Sequence, residues 1–171
     1  MQPMTRLFSL ILTVICFQVH RQKYLDNSVN TIKLRDPKTV EKTFGEDVNY
    51  LDKDSDQTEV ANIDGKQILT MIFHPGGTIN EFSEFKVSYN SKNSKPKLKI
   101  ETKDFETAKK VKLGLTEKQV KKLLGPPTKR TTDNGLEIWT YESKTEDDLY
   151  FGRYDFKDGR LIQFWFGEEY P

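Results

Sequence analysis

Apolar and polar residues alternate along several short stretches of this chain, as half-buried β-strands require. The run Gln67–Phe73 is apolar nearly throughout and predicts a buried strand, whereas Phe82–Tyr89 alternates. Four further strands are predicted at residues 97–102, 136–142, 150–156 and 160–166. Turn-forming residues separate these stretches. The sequence therefore predicts two groups of three antiparallel strands.

Two segments with helical spacing, residues 36–44 and 116–124, resemble each other. Asp36 and Thr116 are good N-cap residues, and Gln119 lies three positions after Thr116, as a capping box requires. Four identities at equal spacing join the segments: Lys38/Lys118, Val40/Val120, Lys42/Lys122 and Gly45/Gly125. Each glycine stands where the chain would leave its helix with positive φ. We therefore predict that one small unit is written twice.

Residues 105–112 predict a further helix, and residues 26–34 a short helix or a lead-in, with a polar loop at 48–66. The predicted fold is α+β: two tandem helix-helix-three-strand units, each with its helices packed on one face of an antiparallel sheet. The units would span residues 24–103 and 104–171. Units of this size are near the lower limit for a separate core, which favours a shared core or sheet.

The apolar run at residues 7–17 follows Arg6 and is too short to cross a ~30 Å hydrocarbon core as a helix. It is typical of a signal peptide, predicted at residues 1–23, so we expect export to the periplasm or the medium. Lipidation at Cys16 and an uncleaved membrane anchor remain alternatives. Cys16 is the only cysteine, so cleavage would leave no disulfide, no thiol chemistry and no cysteine metal site.

Charge is balanced over the whole chain but uneven along it. The net charge of +1 argues against extensive nucleic-acid or membrane-surface binding. Residues 46–64 are strongly acidic and residues 92–122 strongly basic. This segregation could steer a charged partner, or it could be an ordinary solvated surface.

The second half resembles the SmpA/OmlA (BamE-like) family over residues 107–166. The resemblance rests on a GLT-x-x-x-V-x-x-LLG-x-P helix from residue 114, a W-x-Y strand at Trp139 and Tyr141, and F-x-D-G-R-L at residues 156–161. The first half matches only through its helix, and the tandem form resembles the β-lactamase inhibitor protein. The resemblance implies an exported, protein-binding role and no catalytic residues.

The aromatic residues of the second half are more numerous than a sheet with one covered face needs. By the family pattern, Trp139, Tyr141, Tyr154 and Phe156 belong to the core. Strict alternation along the strands then leaves a candidate partner-binding face: Ile138, Phe151, Arg153, Phe164 and Phe166. Exposed aromatics interleaved with arginine are typical of a protein-binding hot spot. Alternatively, these rings pack against the first half in a core between the units.

Little in the sequence predicts catalysis or a cofactor. His74 has no nucleophile or orienting carboxylate placed with it, so a turn residue is the better interpretation. The DKDSD run at residues 52–56 resembles the start of a calcium loop. However, Gln57 and Ile63 stand where that loop requires Gly and Glu, so no metal site is predicted.

The sequence therefore predicts an exported, non-catalytic module, inhibitor-like or envelope-associated, that binds a protein partner through an aromatic-rich sheet face. An accessory lipoprotein of outer-membrane assembly is one alternative, and a small-ligand binder or hydrolase of the cell envelope is another. No nucleic-acid partner and no cofactor are predicted, and membrane contact is expected only through the N-terminal segment.

Overall fold

The computed structural model describes residues 26–45, 56–73, 78, 80–91, 93–144 and 149–169. The predicted signal segment, with Cys16, and His74 lie outside these residues. The described elements, in chain order, are β1 (Ser28–Val29), β2 (Ile32–Lys33), α1 (Pro37–Phe44), β3 (Gln57–Ala61), β4 (Gln67–Phe73), β5 (Phe82–Tyr89), β6 (Leu98–Lys99), α2 (Glu117–Leu124), β7 (Lys129–Asp133), β8 (Leu136–Lys144), β9 (Leu149–Lys157) and β10 (Arg160–Glu169).

Eight of these strands form a single sheet in the order β6-β3-β4-β5-β10-β9-β8-β7. Every pairing is antiparallel except the short parallel contact between β3 and β6. The strands before and after α2 meet where β10 pairs with β5, with Phe164 opposite Val87. The remaining strands, β1 and β2, form a separate two-stranded ribbon.

The predicted fold class is wrong. Strands hold 50% of the described residues and helices only 13%, so a single mixed sheet dominates and tandem helix-helix-three-strand units are absent from this part of the chain. Residues 26–34 contain the β1–β2 ribbon, because Asn30, at φ 51°, turns the chain so that the β-branched residues Val29 and Ile32 pair. Residues 105–112 form isolated bridges, and Lys110 at φ 68° cannot belong to a right-handed helix.

The helices predicted at residues 36–44 and 116–124 are confirmed as α1 and α2. Thr116 caps α2 as expected: its hydroxyl accepts the Gln119 amide N–H at 3.3 Å, and the Gln119 side chain accepts the Thr116 N–H at 2.9 Å. Asp36 makes no such side-chain bond. Gly45 and Gly125 end the helices at φ 112° and 87° with ψ near 180°, a conformation almost restricted to glycine.

The hydrophobic core lies between the two helices and one face of the sheet. Val40 from α1 and Val120 and Leu124 from α2 are fully buried in it. The sheet contributes Leu69, Met71, Phe85, Val87, Trp139, Tyr141, Tyr154, Phe156, Phe164 and Phe166. Each of these side chains contributes about 1.5–3 kcal/mol by leaving water. Because both helices pack on this face, the opposite face carries no described helix.

A β-bulge near the start of β10 decides which side chains point into that core. Leu161 pairs with Phe156, but the next paired residue is Gln163, opposite Asp155, so Ile162 is the extra residue. A bulge shifts the alternation of side chains by one position. Leu161 therefore lies on the same face as residues 164 and 166.

Candidate functional site

We call the sheet face opposite the helices the open face. The strand register places one row of side chains across it, from β4 to β8: Thr70, Lys86, Trp165, Arg153 and Thr140. Neighbours in such a row stand on strands about 4.8 Å apart, close enough for direct contact. Trp165 is at the centre of this row, between Lys86 and Arg153.

Three residues of the predicted partner-binding set lie on the open face. Ile138 is 8% exposed and faces Asp155 across the β8–β9 pairing. Phe151 is half-buried, and the Arg153 side chain is 42% exposed. The structure therefore brings Ile138, Phe151 and Arg153 together on one surface.

Phe164 and Phe166 do not lie on the open face, and this part of the prediction is corrected. Both rings are buried, at 0% and 1% exposure, and they stack with centroids 6.4 Å apart. Phe166 also meets the Phe85 ring edge-on at 5.9 Å. The physical reason is the bulge at Ile162, since strict alternation would have placed Leu161 and Trp165 together and the two phenylalanines opposite them.

Trp165 is the aromatic residue of β10 that does lie on the open face. Its indole Nε1–H donates to Glu84 Oε2 at 2.8 Å, across the β5–β10 pairing. The Phe151 ring stands perpendicular to it with centroids 5.4 Å apart. These contacts fix the indole while leaving it half-buried, so it presents a rigid apolar surface to solvent.

Arg153 is held by a buried carboxylate. Its Nε donates to Asp155 Oδ1 at 2.8 Å and its Nη2 donates to Asp155 Oδ2 at 3.2 Å, a bidentate pair. Gln163 Nε2 adds a third bond to Asp155 at 2.9 Å, and Asp155 is only 3% exposed. The hydrogen bonds that Arg153 donates to Asp155 raise the pKa of Arg153 above its already high ordinary value, so this cation is permanent.

A concavity of about 510 Å³ lies next to this row on the open face. The charged and amide side chains at its wall are Glu59, Lys86, Asn90, Asp155 and Gln163. Ser94 donates to Glu59 at 2.5 Å and so ties the loop after β5 to β3. Polar side chains therefore line much of this cavity. None of these five residues is in the candidate set that the sequence predicted.

The helix-covered side contains a buried acid, Asp26. Its Oδ1 accepts the Lys109 amide N–H at 3.0 Å, while its Oδ2 and the Tyr154 hydroxyl have no hydrogen-bond partner among the described residues. Burial raises the pKa of Asp26 to about 6. Burial also raises the pKa of Tyr154, and the nearby Asp26 charge raises it further. These groups lie in the core and away from the open face.

Within the described ranges, no group of three or more His, Cys, Asp or Glu side chains is arranged to hold a metal ion. Neither α1 nor α2 is long and apolar enough to span a membrane, and no other described segment is helical.

No family model and no curated protein matches this chain. Among solved structures, it is similar to the crystal structure of a DUF4309 family protein, YjgB, from Bacillus subtilis subsp. subtilis str. 168. The two share 13% identity over 90% of this chain and 93% of that chain, with a TM-score of 0.44. We draw no functional assignment from a likeness at this level, and membership of the SmpA/OmlA family stays a prediction.

Proposed function

We propose that this chain is a non-catalytic protein-binding module and that its partner binds the open face. The observation that supports the proposal best is the position of Trp165. It is half-buried at the centre of a sheet face on which no described helix packs. Tryptophan and arginine are the residues most enriched at protein-binding hot spots, and here Trp165 and Arg153 are cross-strand neighbours.

The side chains of this surface are held before any partner arrives. Glu84 and Phe151 position Trp165, and Asp155 positions Arg153 through two hydrogen bonds. Binding costs about 0.5–1.5 kcal/mol for each flexible side chain that it immobilises. A surface whose aromatic and cationic groups are already ordered avoids part of this cost, which favours recognition of a protein over a role as plain solvated sheet.

The proposal places the protein outside the cytoplasm, because the apolar run at residues 7–17 is typical of a signal peptide. The resemblance to the SmpA/OmlA family supports the same compartment. Two roles fit a module of this kind. It would either inhibit an enzyme by covering its active site, or assist assembly in the cell envelope as a lipoprotein attached through Cys16.

The test is site-specific photo-crosslinking in cells that naturally produce the protein. The photoreactive residue benzoylphenylalanine replaces Phe151 on the open face, and in a matched variant it replaces Lys118, which is exposed on α2. We expect a covalent adduct with one protein from position 151 and little or none from position 118. Adding Arg153→Ala to the position 151 variant should weaken the adduct while the melting temperature stays within a few degrees.

Equal adducts from positions 118 and 151, or the absence of an adduct at position 151, would exclude the open face as the binding surface. Mass spectrometry of the mature chain decides between the two roles, because lipidation at Cys16 favours envelope assembly.

A further inference from the structure

Strand β7 forms one edge of the eight-stranded sheet, and this edge is regular. No described strand pairs with its outer side. Its five residues pair with β8 without a register shift, and all of them are exposed. The opposite edge strand, β6, has only two residues, and short edge strands are one way in which proteins avoid association. β7 therefore offers a backbone template that β6 does not.

The turn after β7 determines which of its backbone groups are free. Asn134–Gly135, at φ 48° and 77°, is a two-residue hairpin turn, so Asp133 and Leu136 flank it as a hydrogen-bonded pair. Hydrogen-bonded and non-hydrogen-bonded pairs alternate along an antiparallel ladder. The N–H and C=O groups of Arg130 and Thr132 therefore point away from β8.

The side chains of these two residues leave the edge clear. The Arg130 guanidinium lies 4.1 Å from the centre of the Trp139 ring, and the Thr132 hydroxyl donates to Glu137 at 3.2 Å. Both partners belong to β8, so the two side chains lie back over their own sheet. A second strand can therefore reach the outward backbone groups.

The side chains on the other face of β7 are complementary to themselves. Lys129, Thr131 and Asp133 alternate onto the open face. If two copies of β7 pair antiparallel about a two-fold axis at Thr131, each Lys129 stands opposite Asp133 of the second copy. Opposite charges and Thr–Thr pairs both favour cross-strand pairing. Neither Lys129 nor Asp133 has an ion pair with another described residue, although the Asp133 charge acts on Arg153 from farther away.

This register is also one that the outward backbone groups allow. It pairs Arg130 of one copy with Thr132 of the other, and these are the residues whose N–H and C=O groups are free. An axis at Arg130 would set two arginines opposite each other, and an axis at Thr132 would lose both charge pairs. The charges therefore favour the axis at Thr131 over its neighbours.

We propose that two copies of this chain associate edge to edge through β7, with Thr131 on the two-fold axis. The two sheets then form one continuous sheet with both open faces on the same side, because such an axis is perpendicular to the sheet. The contact between two five-residue strands is smaller than the roughly 1,000 Å² of a stable interface. We therefore expect a weak dimer, with a Kd on the order of 100 µM. The proposal does not depend on what binds the open face.

Sedimentation equilibrium tests the charges, at protein concentrations from about tenfold below to several times above that Kd. We expect Asp133→Lys to weaken the dimer about tenfold or more, because lysines then face each other at both ends of the contact. The double variant Lys129→Asp with Asp133→Lys reverses both charge pairs and should restore the Kd to within about threefold. Asp56→Lys makes the same change at an exposed residue before β3 and should leave the Kd unchanged.

A disulfide tests the axis itself. In a non-hydrogen-bonded antiparallel pair the Cα atoms are about 4.5 Å apart, within the range that a disulfide spans. With Cys16 replaced by serine, Thr131→Cys should oxidise to a covalent dimer. Thr132→Cys should stay largely monomeric, because position 132 faces Arg130 of the second copy.

Three results would overturn the proposal: a protein that stays monomeric at the highest concentration, a double variant that does not recover the dimer lost in Asp133→Lys, or equal disulfide yields from positions 131 and 132. Melting temperatures show whether a variant is folded. If Asp133→Lys is not, the comparison of the two cysteine variants still decides.

Discussion

The buried carboxyl of Asp26 should make the stability of this protein fall as the pH rises through the weakly acidic range. Its pKa is about 6 in the folded protein, raised by burial from an ordinary value of 3.8. The folded state then holds the proton more tightly than the unfolded chain, so this group lowers the free energy of unfolding between about pH 4 and pH 6. The shift in the Asp26 pKa from 3.8 to about 6 makes the free energy of unfolding above pH 6 about 3 kcal/mol smaller than below pH 4.

Asp26→Asn removes the charge and keeps the shape. The amide can still accept the Lys109 N–H, and its NH₂ can donate to the Tyr154 hydroxyl, which lacks a partner among the described residues. We expect the variant and the natural protein to have the same free energy of unfolding near pH 4. At pH 7.5 the free energy of unfolding of the variant should be larger by up to about 3 kcal/mol, which corresponds to about 8 °C in melting temperature.

The assay is urea unfolding of both proteins at pH 4, 5, 6 and 7.5, because groups common to both cancel in the difference. Asp158→Asn is the control, since Asp158 is exposed in the turn between β9 and β10 and the same chemical change there should give no pH-dependent difference. The reasoning is refuted if Asp26→Asn is less stable than the natural protein at pH 7.5, or if their difference is the same at every pH.

Three further predictions concern the fold and are measured by urea unfolding. Gly167→Ala should cost about 1–3 kcal/mol, because an added Cβ would lie 2.6 Å from the β5 backbone; an unchanged midpoint would contradict that close approach. Thr116→Ala should lose about 1 kcal/mol with its cap, and Asp36→Ala clearly less; equal losses would show that both residues cap. Phe164→Ala should cost about 3–5 kcal/mol and Phe151→Ala far less, and the reverse order would return Phe164 to the open face.

The parts of the fold that could be read from the sequence are those with a local signature. The strands at Gln67–Phe73 and Phe82–Tyr89 are confirmed with the predicted bounds, because apolar side chains and flanking turns mark them. The helices were marked by their caps and their terminal glycines. In contrast, β3 and β7 were missed, since QTEVA and KRTTD are largely polar and become strands only by pairing with β4 and β8.

The candidate site was predicted in part for a similar reason. Alternation assigns side chains to the correct face only while the strand register is unbroken. The extra residue Ile162 puts Trp165 on the open face and Phe164 and Phe166 in the core, which is the reverse of the prediction. A signal was available in Gln163, a polar residue two positions before Trp165 and therefore on the same face as it. The concavity that Lys86 lines could not have been found, because it depends on how residues of β3, β4, β5, β9 and β10 come together in the sheet.

The central place of β10 in the sheet has a consequence for how the molecule is made. This strand lies between β5 and β9, and its Trp165 bonds to Glu84 from 81 positions away. Such distant pairings slow folding, because a long loop must close before they form. Until β10 has been synthesised, β5 and β9 each have an edge whose backbone N–H and C=O groups lack their partner strand. A chain that stops before residue 160 would leave both edges unpaired and open to aggregation.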